Sequence, residues 1–168
     1  MGSWLKLSVT SHAPFFNGHI STIACAHGTG WIAKFMEHGV GYFIDVPGEP
    51  TVYIAGDTVL TMEVSHAVKQ RRPDISILPA GGAKLDAGAE ILMDAKDVMR
   101  VAAWGVGTVI ANHLEALDHC PISRHEMRSL AVQHGVENRL LVPDDGQSYE
   151  FTTAAASVVS AASASSRQ

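Results

Sequence analysis

The chain has 168 residues, which suits one domain. Apolar residues make up 46% and charged residues 17%, which argues against disorder for most of the length. The formal net charge of -5 lacks the basic footprint of a nucleic-acid binder, and no apolar run is long enough to span a bilayer.

In chain order, the first residues lack the apolar stretch of a signal peptide, so no secretory leader is expected. Residues 11–18 (SHAPFFNG) read as a loop with apolar contents. Residues 19–26 (HISTIACA) are β-branched and bounded by Gly28 and Gly30, which predicts a strand. Residues 40–46 (VGYFIDV) and 51–55 (TVYIA) predict two more strands around the turn Pro47-Gly48-Glu49-Pro50. The pattern then changes to helix over 60–70, buried strand over 74–78 and helix over 94–104. Residues 107–111 predict another buried strand. The stretch 123–134 predicts a helix with Ser123 as N-cap and Glu126 three residues on, closed by Gly135. A core strand over 139–142 and an edge strand over 147–151 complete the pattern. The expected domain is 1–151. Residues 152–168, mostly Ala, Ser and Val, are expected to be a disordered tail or weakly helical. A hairpin followed by alternating helices and strands is an α/β layout with a mixed sheet and flanking helices.

Two cysteines, Cys25 and Cys120, build no disulfide framework, which points to a reducing, cytoplasmic setting. Nine histidines make a metal site worth seeking. Three polar residues share one placement: His27 follows ISTIACA, Asp57 follows TVYIAG and His113 follows TVIAN. Each stands just beyond the carboxyl end of an apolar strand, where α/β sheets bind ligands. Imidazole nitrogens and a carboxylate suit zinc and similar divalent ions. Singly, each has an ordinary reading: a strand-end histidine is often a hydrogen-bonded structural residue, and Asp57 can cap the helix that follows. The repeated placement gives the three their weight.

The strings VYIAGDT, DISILPAGG and TVIANHLEALDHCPIS resemble the C-terminal half of metallo-β-lactamase-superfamily hydrolases, over about residues 19–151. The resemblance implies a partial αββα sandwich and a divalent metal centre, with zinc expected and manganese or iron also suited. In that family the Asp after the strand bridges two ions, here Asp57. The last strand-end His ligates the second ion, here His113, and an earlier loop His ligates the first, here His27. The family's His-x-His-x-Asp-His signature is absent. Asp118-His119 forms its terminal pair, but Leu114 and Ala116 stand where histidines are needed. The expectation is therefore a truncated hydrolase with an incomplete site and impaired activity. The intact family site holds two ions roughly 3.5–4 Å apart and lowers the pKa of a water to about 7, so that hydroxide attacks an ester, lactone or phosphoester. The substrate is expected to be a small molecule. A missing second sheet would bare an apolar face and favour homo-oligomers.

Other residues have competing readings. Glu115 orients a ligand histidine or is a surface carboxylate. His119 is a second contact on the His113 loop or an exposed loop residue. Lys84 and Asp86 follow the Gly81-Gly82 turn and are candidates for a substrate pocket. His12 and His19 are alternatives to His27. Cys25 reads as core packing, Cys120 as a thiol near the site without a convincing base, and His38 and His134 as surface. Two rival functions remain. One is a non-catalytic remnant or interaction module. The other is a calcineurin-like metallophosphoesterase, whose GD and GNHE blocks are echoed by GDT and ANHLE but whose DxH and GHxH blocks are missing.

Overall fold

The computed structural model describes residues 11–29, 39–84, 89–115, 119–152 and, for the backbone, 158–162. Seven strands form one mixed sheet in sequence order: β1 (His12–Phe15), β2 (Gly18–Ala24), β3 (Val40–Asp45), β4 (Val52–Ile54), β5 (Ile75–Pro79), β6 (Thr108–Asn112) and β7 (Leu140–Leu141). The first four strands pair antiparallel, and β4 to β7 pair parallel. Helices α1 (Met62–Arg71), α2 (Ala95–Ala103) and α3 (Arg124–Gln133) are the three crossovers between the parallel strands. Parallel crossovers are right-handed, so a strand order that advances in one direction puts every helix on the same face. The core shows this: Val64 and Val68 of α1, Val98 and Val101 of α2 and Met127 of α3 pack with Phe43, Tyr53, Leu78 and Val109.

The helices form where the apolar spacing predicts them, one or two residues shorter than read. Their starts are set by caps. Thr61, Asp94 and Ser123 each accept a hydrogen bond from the N–H three residues on, at Val64, Asp97 and Glu126. The parallel strands are also tied at their starts. Asp74 accepts hydrogen bonds from the N–H and hydroxyl of Thr51, both at 2.8 Å, which joins the entries of β4 and β5.

Two expectations are corrected. Residues 11–18 are not a loop: β1 pairs with β2 through a two-residue turn in which Phe16 takes φ 52°. The 147–151 strand does not join the edge of the main sheet. It forms β8 (Ser148–Phe151), paired antiparallel with β9 (Val158–Ala162) in a separate two-stranded sheet. Part of the tail expected to be disordered is thus a strand, because a backbone partner satisfies its N–H and C=O groups. Residues 1–10, 153–157 and 163–168 lie outside the described residues, as do His38, Asp86, Ala116 and Asp118.

On the helix side of the sheet, Tyr53 and Ser76 face each other across β4 and β5, both fully buried. Among the described residues neither side-chain oxygen has a hydrogen-bond partner. Burial pushes the Tyr53 phenol well above its ordinary range. A buried hydroxyl without a partner costs about 1–3 kcal/mol. Tyr53→Phe is therefore expected to leave stability unchanged or raise it by about 1 kcal/mol, read from the urea midpoint; a loss of that size would reveal a partner for the hydroxyl.

Candidate metal centre

Strands β2, β4, β5, β6 and β7 run in the same direction, so their carboxyl ends share one edge of the sheet. His27, Asp57, Gly81 and His113 all stand just past that edge. Asp57 and His113 are brought together, with His113 Nε2 3.8 Å from Asp57 Oδ2. Asp57 does not cap α1, since Thr61 does, so its carboxylate is not committed to that helix.

The loops behind these side chains are fixed by neighbours. Ala26, before His27, and Thr58, after Asp57, are bonded: the Ala26 N–H donates to Thr58 Oγ1 at 3.1 Å, and the Val59 N–H donates to the Ala26 carbonyl at 3.0 Å. Thr58 is fully buried, and its carbonyl accepts from the Met93 N–H. The His27 and Asp57 loops are thus joined one residue away from each candidate ligand. His113 takes φ 58°, a left-handed conformation uncommon for any residue but glycine. Such strain persists only where surroundings impose it. Gly81 makes room for this turn: a Cβ there would lie 2.3 Å from the His113 carbonyl oxygen and 3.0 Å from Cys120 Cβ and Sγ.

Glu115 also takes a left-handed φ of 56°. It does not orient a histidine; it accepts from the Arg124 backbone N–H at 2.8 Å and its guanidinium at 2.6 Å. Those two bonds hold its carboxyl below the usual range. Arg124 also donates to the Pro143 carbonyl, so one side chain latches the His113 loop, the start of α3 and the segment after β7. The signal for this latch was a capping pattern whose next residue is arginine, which spacing alone does not tie to Glu115.

Cys120 is buried, and its sulfur lies 3.5 Å from His113 Nδ1. Cys25 is buried too and donates to the Ala55 carbonyl at 2.7 Å; burial pushes its thiol up to about 11, in keeping with core packing. His119 and His134 are exposed. Lys84 pairs with Glu90 at 3.2 Å. His12 and His19 stack edge to face at 4.5 Å near the start of β2, the opposite end from His27. They line a groove of about 640 Å³ with Asp45 and Arg71, remote from Asp57 and His113.

The donor chemistry fits a divalent ion. One imidazole nitrogen and one carboxylate oxygen 3.8 Å apart are too distant for a hydrogen bond and close enough to share a cation at zinc's ligand distances of about 2.0–2.2 Å. His27 stands half-buried on the adjoining loop, but among the described residues no group of three His, Cys, Asp or Glu side chains is arranged to hold a metal. No helix among the described residues is long and apolar enough to cross a membrane.

No family model matches the chain. It is 31% identical over 128 residues to the UPF0173 protein YddR of Bacillus subtilis (strain 168), covering 74% of this chain and 50% of that protein. It is 32% identical over 132 residues to a UPF0173 metal-dependent hydrolase of Methanocorpusculum labreanum, covering 76% of this chain and 54% of that protein. The chain thus spans about half the length of the curated relatives it matches. Among solved structures, the isothiocyanate hydrolase from Delia radicum gut bacteria superposes with a TM-score of 0.80 at 28% identity, over 89% of this chain and 60% of that one. The metallo-β-lactamase fold protein YhfI from Bacillus subtilis shares the fold with a TM-score of 0.57 at 16% identity, over 81% of this chain and 49% of that one. The mixed sheet and its helices match the fold of the metallo-β-lactamase superfamily. This chain belongs to that superfamily.

Proposed function

We propose that this chain acts in metal-dependent hydrolysis, with Asp57 and His113 as ligands of a divalent ion and His27 as a further ligand from the adjoining loop. The observation that carries the reading is the 3.8 Å approach of Asp57 to His113 Nε2 at the edge where the parallel-running strands end. When bound, the ion would supply Lewis acidity and a nucleophilic water at neutral pH. The chain's own part is to fix the donors: Thr58 holds the Asp57 loop against Ala26, and Gly81 admits the strained His113 turn. Zinc is the first expectation, and manganese or iron also suit His and Asp donors. A stable zinc site takes three or four protein ligands, so the Asp57–His113 pair by itself binds weakly. A cytoplasmic setting, which keeps Cys25 and Cys120 reduced, goes with this reading.

The test is zinc, manganese and iron titration of the chelator-stripped chain by calorimetry, followed by a substrate panel. That panel holds an aryl ester, a lactone, a phosphodiester and an aryl isothiocyanate, the last because a solved relative is an isothiocyanate hydrolase. Metal uptake with turnover of one member supports the reading; no uptake of any of the three metals sinks it.

A specific observation favours a second activity for the same chain, self-association. The helix-free face of the sheet presents Tyr42, Ile44, Ile54, Ile77, Ile110 and Leu141, all only half-buried. Contiguous apolar surface of this kind marks an interaction face. The expected result in analytical ultracentrifugation is a species heavier than the 17.9 kDa monomer, returned to monomer by the pair Ile54→Glu and Ile77→Glu. A monomer at all concentrations would rule this out.

A further inference from the structure

We infer that Cys120 is a positioning residue for His113: its sulfur, seated against Nδ1, turns Nε2 of the same ring toward Asp57. This rests on the reading of Asp57 and His113 as metal ligands. The two contacts use opposite nitrogens of one imidazole, with Sγ 3.5 Å from Nδ1 and Asp57 Oδ2 3.8 Å from Nε2. A ring that offers its Nε2 lone pair to a cation keeps its proton on Nδ1, and the sulfur is the acceptor facing that proton. Histidine ligands need such an outer partner to fix tautomer and ring angle. A carboxylate or a backbone carbonyl commonly fills that place; here the contact made at Nδ1 is a thiol.

The sulfur is held firmly enough for the task. Cys120 is buried in a small apolar cluster with Ala83, Ile91 and Leu92, which lies outside the main core. The segment that carries it is tied down next door, where the Ile122 N–H donates to the Gly81 carbonyl. Gly81 touches both partners at once: a Cβ there would strike the His113 carbonyl oxygen at 2.3 Å and Cys120 Sγ at 3.0 Å. The thiol and the histidine are therefore packed through one glycine, with His113 itself in a left-handed conformation at φ 58°. Core packing alone accounts for a buried thiol, but not for its placement on the ring nitrogen opposite Asp57.

The experiment compares the full chain with Cys120→Val, which keeps the buried volume and removes the hydrogen bond, and with Cys120→Ser, which keeps a polar partner. The first readout is the Nδ1 resonance of His113 in nitrogen-15 histidine-labelled protein without metal, assigned with His113→Gln. Cys120→Val is expected to shift that resonance and Cys120→Ser to restore it toward the wild-type position. The second is zinc affinity, expected to fall about 10–100-fold in Cys120→Val and to recover most of that loss in Cys120→Ser. An Nδ1 resonance unmoved by Cys120→Val overturns the inference, as does unchanged zinc affinity in that variant while the wild-type chain binds. A wild-type chain that takes up no zinc, yet shows the expected Nδ1 shifts, overturns the metal reading and leaves the positioning contact supported. Should Cys120→Val fail to fold, Cys120→Ala takes its place in both readouts.

Discussion

Gly81→Ala is expected to destabilise the chain by about 3 kcal/mol, the upper end for overpacking a fixed site, and to displace His113 from Asp57. The added methyl would lie 2.3 Å from a backbone oxygen and 3.0 Å from Cys120, and neither can swing away as the tip of a flexible side chain can. Relief must come from the backbone of the His113 turn, which is already in the left-handed region. The matched control is Gly135→Ala, where φ is positive but nothing lies within 4 Å, so the cost is limited to backbone strain of about 1 kcal/mol. Urea midpoints of the two variants check this. Equal losses would mean that the clash at residue 81 is absorbed, and that the glycine is dispensable to the site.

The second large effect is expected at Asp57. Asp57→Asn keeps the side chain's shape and removes its charge, so folding should be preserved: the carboxylate is half exposed and caps no helix. Metal affinity should drop by more than about 100-fold, because partners one step behind a ligand already cost 10–100-fold when removed. His113→Ala should match it, and the double variant should lose little beyond either single one, as for two donors to one ion. Calorimetric titration with zinc decides the point. An Asp57→Asn chain that binds as tightly as the wild type would place the metal, if any, at other residues.

Much of the parallel half of the molecule was legible in the sequence. The runs around Ile75 and Val109 are short, apolar and β-branched, and Ser123 with Glu126 marks a helix start that the backbone follows. The shared placement of His27, Asp57 and His113 after strands was readable for the same reason. What could not be read depends on partners distant in sequence. Strand β1 hides Pro14 within HAPF, and its turn uses Phe16 in a left-handed conformation instead of a glycine. Strand β9 is VVSAA, two strand-favouring valines in a tail otherwise rich in Ala and Ser, and it forms paired with β8. Cys120 approaches His113 from seven residues along the chain, and no periodicity encodes a contact packed against Gly81 at the end of the neighbouring strand. Glu115 likewise needed Arg124 in space to be seen as a latch.

The two outermost strands of the seven-stranded sheet decide what sort of assembly the molecule can form. At one margin, β1 carries Pro14, which has no N–H to offer an incoming strand; at the other, β7 is only two residues long. Neither margin templates a further strand, so growth into an open-ended ribbon is blocked. For the seven-stranded sheet that leaves its helix-free face, and a face that meets its own copy about a two-fold axis is saturated once paired. Self-association through the helix-free face, as proposed above, would therefore close on a dimer instead of extending into a fibre.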